Sequence, residues 1–139
     1  MSRWTHVAGI IRVDSIFDLL GGIPTMYALK DAILDPPSGS EGPVRVEPLM
    51  TREPGSNTVN WGQVLVWGDL RDYDDVEALV YWFTQSCQRM FDRKLMIRDA
   101  LLRIRVEYAR SLIVTVEHSE TDPMQVAHKL YWEETEVPS

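Results

Sequence analysis

Residues 58–90 hold the pattern that leaves the fewest folds open. Gln63-Val64-Leu65-Val66-Trp67 is a short, apolar, β-branched run bracketed by Gly62 and Gly68. Such a run suits a central strand that is apolar on both faces. An acidic turn, residues 69–75, follows. Apolar residues then recur at Val76, Leu79, Val80, Phe83, Cys87 and Met90, offsets of three and four that line one stripe of a helix. Asp72 is the expected N-cap, with Asp75 three residues on. Asp74, Asp75 and Glu77 fall in the first turn, where the helix dipole favours negative charge. Glu77, Tyr81, Gln85 and Arg89 are assigned to the exposed side, and Phe91-Asp92-Arg93-Lys94 ends the helix on positive charge.

A chain of 139 residues suits one domain with a full core. An apolar fraction of 45% and a charged fraction of 25% are those of a soluble globular protein, and no apolar run approaches a membrane span. Met1-Ser2-Arg3-Trp4 opens no signal peptide, so a cytoplasmic location is expected. Cys87 is the sole cysteine, which excludes an internal disulfide, and its place on the helix stripe makes it a small core residue. The net charge is −7. From residue 117 onward six acids stand against one base, Lys129, leaving −2 for the rest, a balance that argues against a duplex nucleic-acid binder.

In chain order, residues 4–14 read as the first strand, with Val7, Ile10, Ile11 and Val13 as its apolar side chains. Residues 14–20 suggest a helical turn, and Pro24 the start of a helix reaching Leu34, with Met26, Leu29 and Ile33 on one face. Residues 36–43, rich in Pro and Gly, read as a loop without regular pairing. Residues 44–51 form a shorter strand that Pro48 assigns to an edge, and residues 52–57 a hairpin turn. After the central strand and long helix, residues 100–108 alternate, with Leu102, Ile104 and Val106 on one face and Leu101, Arg103, Arg105 and Glu107 on the other. A last strand covers residues 112–118, and Asp122-Pro123-Met124-Gln125 resembles a capping box for a short terminal helix to about Trp132. The order β-α-β-β-α-β plus one strand is the split βαβ arrangement of ferredoxin-like α+β folds, here a single domain over 1–118 with an acidic extension over 119–139. Right-handed crossovers place both helices on one face of the sheet. Across it the strands should stand second, third, first, fourth, with the fifth outside the fourth.

That wiring leaves one sheet face without a helix. Alternation puts Trp4, His6, Ile10 and Arg12 there from the first strand, Trp61, Gln63, Leu65 and Trp67 from the third, and Leu101, Arg103, Arg105 and Glu107 from the fourth. Tryptophan stacks on rings and arginine grips phosphate or carboxylate with a rigid fork, so Trp4, His6, Arg12, Trp67, Arg103 and Arg105 are candidate ligand residues for a planar anion. The competing expectations are burial of this face by packing or homo-oligomer formation, and a surface for a partner protein. Gly39-Ser40-Glu41-Gly42 is a candidate anion loop in which Gly39, Ser40 and Gly42 present backbone N–H groups, against the plainer reading of an ordinary loop.

Motifs for chemistry are sparse. His6, His118 and His128 lack metal-ligand spacing, and there is no HExxH, Walker loop or GxGxxG. Asp69 and Asp72, with His6, could hold a magnesium ion in a phosphodiesterase or nuclease; helix capping and a local ion pair explain the carboxylates without chemistry.

Three stretches, Trp4-Thr5-His6-Val7-Ala8-Gly9-Ile10-Ile11-Arg12-Val13-Asp14, Gly39-Ser40-Glu41-Gly42-Pro43 and Gly68-Asp69-Leu70-Arg71-Asp72-Tyr73, in this order, resemble small accessory proteins of tailed bacteriophages. The resemblance covers the first two thirds of the chain and carries over no catalytic residue. It implies a role in the cytoplasm of an infected bacterium, against host defences. The expectation is a non-catalytic binding protein with no cofactor, capturing a nucleotide-like signal molecule or a host defence protein. The alternatives are the metal-dependent phosphodiesterase and an assembly protein of a phage particle.

Overall fold

Strand β1 (Trp4–Ser15) stands inside the sheet with β5 (Asn60–Arg71) on one side and β6 (Leu95–Val106) on the other, both antiparallel to it. The computed structural model describes residues 3–15, 25–51 and 60–133. Between β1 and β5 lie α1 (Thr25–Ala32), a minimal hairpin of β2 (Ser38–Gly39) and β3 (Gly42–Pro43), and β4 (Arg45–Thr51). Then come α2 (Val76–Asp92), β6, β7 (Ser111–His118) and β8 (Val126–Glu133). The protein is a mixed α+β chain dominated by one antiparallel sheet of six strands in the order β4-β5-β1-β6-β7-β8. Its long strands thus follow the order expected from the sequence, with a further strand outside the fifth.

The core lies between the sheet and its two helices. Val7, Ile11 and Val13 of β1, Val64, Val66 and Leu70 of β5, and Leu102, Ile104 and Val106 of β6 point into it. Leu29 and Ala32 of α1 and Leu79, Phe83, Cys87 and Met90 of α2 meet them from above. Burial pushes the Cys87 thiol far above its usual range, so the inert core assignment holds. The helices are joined by polar contacts. Trp82 Nε1 donates to the Leu34 carbonyl at 2.8 Å, and Arg89 donates to the carbonyls of Ala32 and Asp31 at 3.0 and 2.9 Å. The orphan carbonyls at the end of α1 are therefore satisfied by α2. Arg89, expected on the exposed side, is half-buried for this reason.

Four local expectations are corrected. The N-cap of α2 is Asp75, whose carboxylate accepts from Ala78 N–H at 3.1 Å. Asp72 instead takes φ 55 in the tight turn after β5, and Thr5 Oγ1, hydrogen-bonded to the Tyr73 carbonyl, ties that turn to β1. Asp75→Ala should cost about 0.5–2 kcal/mol, read as a lowered urea midpoint, with Asp72→Ala smaller. Residues 36–43 do pair, through the β2–β3 hairpin, because Gly42 at φ 123 permits the turn. The terminal helix is absent: Asp122 Oδ1 accepts from Met124 N–H and its carbonyl from Gln125 N–H in a turn, and residues 126–133 form β8 on the free edge of β7. Finally, β6 begins at Leu95, five residues before its regular alternation, because a bulge at Arg98–Asp99 reverses the faces. The hairpin turn over 52–57, Pro24, the helical turn beyond Ser15 and the Trp61 side chain lie outside what is described.

Candidate binding face

Directly paired residues in an antiparallel sheet share a face, so the register defines rows of side chains across the side that carries no helix. One row runs Arg45, Trp67, Ala8, Arg103, Ile113, Tyr131. The next runs Glu47, Leu65, Ile10, Leu101, Thr115, Lys129. Beyond the first row lie Asp69, His6 and Arg105; beyond the second, Gln63, Arg12 and Asp99. Trp4 sits at the far end opposite Arg71, half-buried. All six sheet residues named from the sequence thus occupy this face. Its centre is apolar: Ile10 and Leu65 are half-buried, Leu101 is 37% exposed and Trp67 is 43% exposed.

The charges around that centre are largely committed to one another. His6 Nδ1 lies 2.6 Å from Asp69 Oδ1 and its Nε2 3.4 Å from Glu107 Oε1, so the ring bridges two carboxylates. Arg12 pairs with Asp99 at 3.9 Å and Arg103 with Glu133 at 3.8 Å. Apart from half-buried His6 and Glu107 these groups are solvent-exposed, and the exposed pairs contribute little to stability. Arg105 and Arg45 have no ion-pair partner among the described residues. Asp72, grouped with Asp69 and His6 in the phosphodiesterase reading, has Arg71 as its ion-pair partner at 3.9 Å. No group of three His, Cys, Asp or Glu side chains is gathered as metal ligands among the described residues.

The hairpin expected to bind anions spends much of its polarity inside the protein. Ser40 N–H and Oγ both donate to the Arg71 carbonyl, at 3.1 and 3.3 Å, and Arg71 Nη1 donates to Glu41 at 2.9 Å. A Cβ at Gly39 would meet Arg71 N and O at 2.9 Å, so glycine there lets the hairpin lie against β5. Gly42, by contrast, borders a hollow of about 480 Å³ that Pro43, Arg45, Glu47 and Trp67 also line. The sequence did not reveal that Gly42 and Trp67 share one hollow, nor that Arg45 stands beside them. Placing Arg45 needs the β4–β5 register, which the long connection over 52–59 conceals. No family model, curated protein or solved structure matches the chain.

Proposed function

We propose that this is a non-catalytic binding protein that captures an anionic, ring-bearing ligand on its open sheet face, with Trp67 as the stacking platform and arginines as the charge partners. The observation that carries this reading is the exposed Trp67 indole in one row with Arg45 and Arg103, beside the hollow under the hairpin. A base or similar ring stacked on Trp67 would direct its phosphate toward an arginine already held at the correct height by the sheet. We read the strand order, with helices between the first and second and the third and fourth long strands, as the ferredoxin-like split βαβ arrangement. The arginine and tryptophan side chains support a nucleotide-like molecule as the ligand, and the resemblance of three stretches of the chain to phage accessory proteins supports a signal of the infected host as its source.

A second reading, a host defence protein as the captured factor, is favoured by the apolar centre of Ile10, Leu65 and Leu101 within a rim of both charges. Calorimetry with mono-, di- and cyclic nucleotides separates the two. Binding should weaken about ten- to a hundredfold in Arg103→Ala or Arg105→Ala, and Trp67→Ala should remove a stacking contribution of about 1–3 kcal/mol. Ligand should return chemically unchanged after the complex is heated. No heat from any nucleotide, with stable capture of one host protein, rejects the first reading and leaves the second.

A further inference from the structure

We propose that β8 is a self-association edge: two chains pair antiparallel along β8 about a two-fold axis at Tyr131, joining two sheets into one. The proposal is independent of which ligand the open face takes. The sheet's two outer strands are built differently. β4 carries Pro48 in mid-strand, with Arg45 and Glu47 beside it. Proline has no N–H to offer a neighbour, and charges on an edge oppose pairing. β8 runs eight residues without proline, and its only strand neighbour among the described residues is β7. One row of its backbone N–H and C=O groups therefore faces outward. Leu130, Tyr131 and Trp132 are 43%, 50% and 47% exposed, so large apolar side chains stand on both faces of this edge strand. Natural sheets avoid that combination unless the edge is covered.

Charge complementarity favours a second copy as the occupant, in the register that pairs its opposite charges. With Tyr131 opposite Tyr131 of the second copy, Lys129 faces Glu133 of the second copy, and symmetry repeats the pair. Leu130 then faces Trp132 of the second copy on the helix side. Moving the axis two residues either way sets Lys129 against Lys129 or Glu133 against Glu133, which is repulsive. Within one chain Lys129 holds Glu117 at 3.1 Å and Glu133 is held by Arg103 at 3.8 Å. Pairing in this register therefore makes a continuous row, Glu117, Lys129, then Glu133 and Arg103 of the second copy, with the sign alternating at every step.

Light scattering on eluting protein should give twice the chain mass for the wild type. Lys129→Glu should raise the dissociation constant roughly tenfold or more, and adding Glu133→Lys to it should restore the dimer. Mild oxidation should join two Tyr131→Cys chains through a disulfide but not two Trp132→Cys chains, which as diagonal neighbours stand beyond disulfide reach; Cys87 is buried and does not react. That cross-link is read in a chain with the charges intact, so it decides the matter even if the charge variants fold poorly. A wild-type monomer overturns the proposal. So does a dimer that Leu65→Glu dissociates and Lys129→Glu leaves unchanged, since that outcome puts the interface on the open face.

Discussion

Phe83→Ala should lower the stability of the chain by about 3–5 kcal/mol, the largest loss expected from any single truncation on α2. The Phe83 side chain has no solvent exposure and belongs to the same buried cluster as Leu79, Val66 and Ile104, so its removal leaves a cavity between helix and sheet. The loss is transfer free energy plus the cavity that neighbours on a rigid sheet cannot close. Urea denaturation read by circular dichroism should show a lower midpoint with an unchanged slope. A midpoint within experimental error of the wild type would mean that α2 does not press this ring into the sheet. Tyr81→Ala, on the same helix but 65% exposed, is the internal comparison and should change stability by no more than about 0.5 kcal/mol.

Gly9→Val should be comparably damaging, through the opposite fault. Gly9 lies on the core side of β1 between Val66 and Leu102. A Cβ there would stand 2.6 Å from the Leu101 carbonyl oxygen and 2.8 Å from Leu102 Cδ1. The first of these is backbone and cannot swing aside, so β1 and β6 must separate at the middle of the sheet. Overpacking of this kind costs about 1–3 kcal/mol, and the branched valine should reach or exceed the upper end. Gly9→Ala should fall lower, because it brings the same Cβ without valine's two γ-methyl groups. Thermal unfolding of the two variants beside the wild type checks the ordering; equal stability of all three would contradict the close approach of β1 and β6.

Much of the fold was legible because its strongest signals are local and periodic. Val64 and Val66, the stripe from Val76 to Met90, and the alternation of Leu102, Ile104 and Val106 each declare an element and its buried side within a few residues. The strand order then followed from the handedness of crossovers. What escaped were features whose cause lies elsewhere in the chain. The bulge at Arg98–Asp99 shifts the alternation by one residue, so the first half of β6 looks irregular when read alone. Asp75 displaces Asp72 as the cap because of a contact from Thr5, sixty-eight residues away from Tyr73. β8 exists because β7 has a free edge, and nothing local in residues 126–133 outranks the capping-box signal just before them. The site was legible to the same degree. The face was derivable from alternation, whereas the hollow that unites Gly42, Arg45 and Trp67 depends on how a hairpin folds over a strand end.

The place of β1 in the middle of the sheet sets a timetable for synthesis. β1 is made before either strand that will flank it. Its ladder with β5 requires the chain through Arg71, and its ladder with β6, which begins at Thr5 opposite Val106, requires thirty-five residues more. Until β5 is made the nascent chain holds a twelve-residue strand with two empty edges, and one edge stays empty until β6 follows. Closing loops of this span before any pairing is rewarded is slow, and waiting strands of this kind associate with whatever edge is near. Translation rate and holding chaperones should therefore govern the yield of this protein more strongly than the stability of its finished core.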